Sequence, residues 1–174
     1  MSDEANLAKK YEFLHTFAKE KFDLEEKREE AIIQQASQMQ TVFSFMTAAL
    51  FMVLPVVLEH SAGLSMRFIF IAFSSITLAL LFSLFFAMMA QNRKYKAALP
   101  DVKTMADYMT ENESYFETEE QRHKYMVDTY AEVQESKCKL NGKRINWIKR
   151  SMTAFYCSLG LCAFWFVVAI CKIL

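Results

Sequence analysis

Chain breakers are scarce: three glycines and two prolines are spread over 174 residues. That leaves little turn chemistry, rules out a glycine-rich phosphate loop, and argues for long helices over strands. No segment shows a strand alternation bounded by turn residues. Net charge is absent as well, with 20 basic against 20 acidic side chains, so no electrostatic footprint for nucleic acid is present. The histidines, His15, His60 and His123, have no partner at metal-ligand spacing, and Cys138, Cys157, Cys162 and Cys171 form no CxxC pair. Helix packing in a reducing compartment accounts for the cysteines better than a disulfide or a metal. The residues therefore offer no catalytic set, no cofactor motif and no metal site, and the chain reads as a non-enzyme.

Charge itself is missing from three stretches, residues 41–58, 68–90 and 151–171, and dense elsewhere. A helix needs about 20 residues to cross roughly 30 Å of hydrocarbon. The second and third stretches meet that length, and the first reaches it by borrowing residues 37–40. Pro55 falls near the far end of the first, where a missing backbone donor is most easily accommodated. A soluble bundle would have too little polar surface to wrap three such runs. The expected fold is all-α: an integral membrane protein with three transmembrane helices and long cytoplasmic helices. Its segments are an amphipathic helix over residues 1–40, a membrane hairpin over 41–90, a helical region over 91–150 and a final span over 151–174.

Orientation follows from Lys and Arg beside the spans. The connection between the first two spans holds one basic residue, Arg67, whereas Arg93, Lys94, Lys96, Lys143, Arg144, Lys149 and Arg150 flank the other membrane face. The first 40 residues are charged and carry no signal-peptide pattern. The N-terminus and residues 91–150 are thus expected in the cytoplasm, with the C-terminal Leu174 emerging opposite.

Outside the spans the pattern is also helical. Leu7, Tyr11, Leu14 and Ala18 share one stripe, which Phe13, Phe17 and Phe22 widen. No breaker separates this helix from the first span. Pro100 and Asp101 open a short helix, and Ser114 with Glu117 has the spacing of a capping box for the next. From there Phe116, Met126, Tyr130, Val133, Leu140, Ile148 and Met152 recur at near-helical intervals, and only Asn141 and Gly142 stand as a candidate break. A continuous helix of more than 50 residues is expected.

Two features of the spans bear on assembly. Ala72, Ser75, Ala79, Ser83 and Ala87 fall on one face of the second span, and Ala154, Ser158 and Cys162 repeat every fourth residue on the third. Small residues let backbones approach closely, either within one chain or between copies. On the first span Gln34, Ser37, Gln38, Thr41, Ser44 and Thr47 lie along one line entering the bilayer, which turns apolar from Ala48 through Phe51, Met52 and Pro55. Hydroxyls facing lipid are tolerated because they bond the preceding turn. The same line could face water in a ring of identical helices, with the apolar part as a constriction that gates by dewetting. No charged residue lies within a span, which argues against a proton-coupled transporter or voltage sensor and leaves any such pore weakly selective.

The order of parts, ending in a span introduced by NGKRINWIKRSMTAFY, resembles the SLATT-type membrane effectors of bacterial antiviral systems. It is more specifically similar to the small transmembrane accessory family of type VI-B CRISPR–Cas loci. The resemblance implies a homo-oligomeric pore in the bacterial inner membrane, its partners being lipid, copies of itself and an RNA-guided RNase encoded nearby. It also implies depolarisation of infected cells, and a periplasmic C-terminus. The HEPN-like description of that family would imply an Arg/His nuclease pattern. Here the nearest match is the adjacent pair Arg122 and His123, which reads better as a solvated helix face. A non-conducting scaffold that recruits a soluble partner is the competing reading, and a divergent RNase the third.

Overall fold

The computed structural model describes residues 2–59, 64–92 and 99–173. Among the described residues four α-helices follow one another: α1 Ser2–Glu59, α2 Met66–Gln91, α3 Val102–Glu111 and α4 Glu119–Ile173, with one 3-10 turn at Glu113–Tyr115. No strand occurs among the described residues. Stretches of α1, α2 and α4 are each long and apolar enough to cross a membrane. At 1.5 Å per residue α2 alone is about 39 Å long, more than the roughly 30 Å of a hydrocarbon core. His60, Arg93, Lys94, Lys96 and Leu174 lie outside the described residues.

The scarcity of breakers has the expected consequence. α1 runs 58 residues with Pro55 inside its last turns, and α4 runs 55 residues straight through Asn141 and Gly142. A Cβ built at Gly142 would meet nothing within 4 Å, so no close approach requires glycine there.

Contacts divide the chain into two units, one of residues 1–31 with 93–142, the other of 32–92 with 143–174. These boundaries precede the charge-free stretches by about two turns of helix. The reason is that Ile32, Ala36, Met39 and Ile148 pack into the same core as Phe43, Ala87 and Ala90, so the membrane unit begins before its most apolar residues do.

In the first unit the inward stripe of α1 is half-buried at Tyr11 and Leu14 and buried at Ala18 and Phe22. Phe13 and Phe17 do not widen it: they are 69% and 47% exposed and stack on each other at 6.4 Å. They sit a quarter-turn or more off the buried line, where hydrophobicity alone cannot decide the direction. On α4, Val133 is buried and Met126, Tyr130 and Leu140 are half-buried, as their spacing predicts. The capping box, however, is one turn later than expected. The Gln121 amide donates to Thr118 Oγ1 at 3.3 Å and the Thr118 amide to Gln121 Oε1 at 3.1 Å. Ser114 instead belongs to the 3-10 turn, which carries the buried Phe116 against Tyr108 and Tyr125.

In the second unit Ser65 caps α2 by accepting from the Phe68 amide. The core runs along Ile32, Ala36, Met39 and Phe43 of α1, one residue every turn, against Ala87 and Ala90 of α2 and Ile148 of α4. Ser83 and Ser151, both with no exposed surface, exchange hydrogen bonds between α2 and α4. Toward the other end of these helices Trp165 Nε1 donates to Ser75 Oγ at 2.9 Å, and that hydroxyl donates on to the Ala72 carbonyl at 2.8 Å. Outward positions such as Phe45, Phe51, Phe70, Phe82, Phe164 and Phe166 are more than half exposed. So apolar an exterior suits lipid, not water.

Candidate functional site

The polar line of α1 is built by helical phase. Each residue turns about 100°, so a line through Gln34, Ser37, Gln38, Thr41, Ser44 and Ala48 lies opposite Ile32, Ala36, Met39 and Phe43. The latter four are buried, and every member of the polar line is exposed. Phe51, 55% exposed, continues it. Thr47 does not belong with them: it is half-buried near the core side and donates to the Phe43 carbonyl at 2.8 Å. Thr41 likewise bonds its preceding turn, through the Ser37 carbonyl at 3.2 Å. The result is an exposed polar line on a helix whose other outward residues, Val42 and Phe45 among them, are apolar.

The small residues of α2 and α4 take the opposite part. Ala72, Ser83 and Ala87 on α2 and Ser158 on α4 are buried, and Ser75, Ala79, Ala154 and Cys162 are half-buried. Ser83, Ala87 and Ser158 are therefore spent inside one chain, and contact between copies cannot use them. Ser158 donates to its own preceding turn at Phe155.

Sequence spacing gave no partner to any histidine, yet the first unit brings His15 of α1 and His123 of α4 together, ring centroids 5.3 Å apart, with Tyr130 at 5.8 Å from His15. No periodic signal links residues so far apart in the chain. Among the described residues no group of three or more His, Cys, Asp and Glu side chains could hold a metal ion. Arg122 points elsewhere, lining an open cleft of about 470 Å³ with Met109, Thr110, Glu113, Phe116 and Glu117. Arg122 and His123 thus face different surroundings, one beside carboxylates and one against a second imidazole. The four cysteines are free thiols.

Burial foremost, then the nearby charges of His123 and Lys19, hold the His15 imidazole below its ordinary value of 6.5. A lowered folded-state value means that the unfolded chain binds the proton more readily. The contribution of His15 to stability is therefore complete above about pH 6.5 and is lost as pH falls through the folded value. Thermal unfolding of the helical signal should show a midpoint lower by a few degrees near pH 5 than near pH 8, a small effect because the ring is partly solvated. In His15→Phe that pH dependence should be reduced; an unchanged slope would assign it to other groups.

No protein-family model, curated protein or solved structure matches this chain.

Proposed function

We propose that this chain forms a homo-oligomeric pore in the bacterial inner membrane, with α1 of each copy lining the lumen. The observation that carries the reading is the exposure of Gln34, Ser37, Gln38, Thr41 and Ser44 on the side of α1 turned away from its own core. A line of exposed glutamine amides and hydroxyls is better placed against water than against lipid, and a ring of copies supplies that water. Ala48 and Phe51 would form the apolar constriction beyond them. The first unit and its helices would lie in the cytoplasm as an assembly collar, and the C-terminus in the periplasm. Leakage through such a pore depolarises the cell, which fits a role in enhancing CRISPR-dependent antiviral defence beside an RNA-guided RNase.

The scaffold reading has one observation in its favour, the exposed Phe13 and Phe17 pair on the first unit, an apolar patch on a charged helix. A single experiment separates the two. Protein reconstituted in vesicles is assayed for ion leakage before and after Thr41→Leu and Ser44→Leu. A lining role predicts that leakage changes severalfold with the oligomer mass unaltered. Leakage that is the same in both proteins removes α1 from the lumen. Intact vesicles with retained capture of a soluble partner would favour the scaffold.

A further inference from the structure

We infer that Lys143, Lys149 and Arg150 on α4 form a contact surface for anionic phospholipid headgroups. The first support is charge distribution. Beyond Glu135 the chain has no acidic residue but seven cations, Lys137, Lys139, Lys143, Arg144, Lys149, Arg150 and Lys172. Two of these are neutralised nearby: Lys137 by Glu26 and Glu29, and Lys139 by Glu135. Arg144 is turned inward, 7% exposed. Lys143, Lys149 and Arg150 are exposed, and none of them forms an ion pair among the described residues.

Placement is the second support. Lys143 and Arg150 are seven residues apart, two turns on nearly the same line, with Lys149 round one side. Arg144, Ile148 and Ser151 are buried on the opposite side. The arc that carries the cations continues into Thr153, Tyr156 and Cys157, all exposed, at the start of the charge-free stretch. The cations therefore stand at the end of the apolar exterior, on its outward side.

Trp147 fixes the level. Its ring stacks on Phe86 of α2 at 5.8 Å and lies 4.9 Å from the Arg150 guanidinium. A tryptophan held there occupies the depth at which amphipathic rings settle in a bilayer, and the guanidinium beside it is presented at headgroup height. A cation at an anionic surface raises local binding roughly fivefold. Three on one arc should select acidic over zwitterionic lipid in the first shell around α4.

The inference rests on α4 crossing the membrane, not on the chain conducting ions. The protein is reconstituted in phosphatidylcholine vesicles containing spin-labelled phosphatidylglycerol or spin-labelled phosphatidylcholine, and the motionally restricted lipid fraction is compared. The wild-type protein should restrict phosphatidylglycerol severalfold more, and K143Q/K149Q/R150Q should lose most of that preference. A control exchanging the exposed Lys9, Lys10 and Lys27 for glutamine should keep it. In the unaltered protein the preference should fall in about 0.5 M salt and persist against millimolar inorganic phosphate, which separates a lipid surface from a free-phosphate site. Equal restriction of both lipids, or a preference indifferent to salt and to the triple exchange, overturns the inference. Extraction of the protein by alkaline carbonate would overturn the membrane-spanning reading beneath it.

Discussion

Ser83→Leu is expected to weaken the packing of α2 on α4 by about 3 kcal/mol, the larger part of it from volume. Ser83 Oγ donates to the Ser151 carbonyl at 2.8 Å, Ser151 Oγ donates to the Ser83 carbonyl at 2.7 Å, and the two hydroxyls are 3.3 Å apart. Such reciprocity requires the two backbones to approach within the reach of a one-carbon side chain. Ala87 and Ala90, fully buried on the same helix, keep the approach close over the next two turns. Leucine would lose the bond from the Ser83 hydroxyl and add two heavy atoms at a fully buried position, where the close approach that lets Ser151 reach the Ser83 carbonyl cannot persist. Ser83→Ala loses only the bond that the Ser83 hydroxyl donates, while Ser151 keeps the carbonyl of residue 83, and since interhelical bonds in membranes average about 0.6 kcal/mol, it should cost well under about 1 kcal/mol. Unfolding of the detergent-solubilised protein by a denaturing surfactant gives both values. Similar midpoints for leucine and alanine would mean that the helices separate easily at this point and that the contact does not hold them.

That contact also marks how far the sequence could be read. The three charge-free stretches and the shortage of breakers foretold long helices with three candidate spans, because hydrocarbon thickness and backbone satisfaction leave few alternatives. Periodicity also foretold which residues share a face: Gln34, Ser37, Gln38, Thr41 and Ser44 do lie together. It could not tell which face turns inward. The alanine and serine faces of α2 and α4 were open to contact within a chain or between chains, and only the packed structure spends Ser83, Ala87 and Ser158 within one. Phe13 and Phe17 differ from expectation for the same reason, since apolar character alone does not specify burial.

Local signals failed where two similar patterns competed. Ser114 with Glu117 and Thr118 with Gln121 both have the capping spacing, and burial of Phe116, directly after the 3-10 turn that holds Ser114, settles the choice for the second. The His15 and His123 contact and the pairing of Lys137 with Glu26 join residues more than a hundred positions apart. Neither is encoded in any period. Asn141 belongs to the same class: read alone it is a helix breaker, whereas in the folded chain its amide is directed at another helix.

Asn141→Leu is accordingly expected to destabilise the first unit by about 2 kcal/mol, in the range for bonds to charged groups. Asn141 is 1% exposed, and its Nδ2 donates to the Glu25 carbonyl at 3.2 Å and to Glu25 Oε2 at 3.1 Å. The Glu25 side chain is itself only 16% exposed and shares its other oxygen with Arg28 at 3.1 Å. Leucine preserves volume but withdraws a donor from a sheltered carboxylate that Arg28 also pairs with. Asn141→Asp separates this electrostatic account from one of packing. It is nearly isosteric, yet it replaces the donor with a second carboxylate beside Glu25, so at neutral pH it should be at least as damaging as leucine. Its deficit should shrink as pH falls through the carboxylate range, where one shared proton restores a donor, whereas the leucine deficit should not recover in that way. Thermal unfolding followed by helix signal at about pH 7 and about pH 4.5 measures both. An aspartate variant as stable as the wild type at neutral pH would show that the amide of Asn141 does not hold α1 against α4 through Glu25.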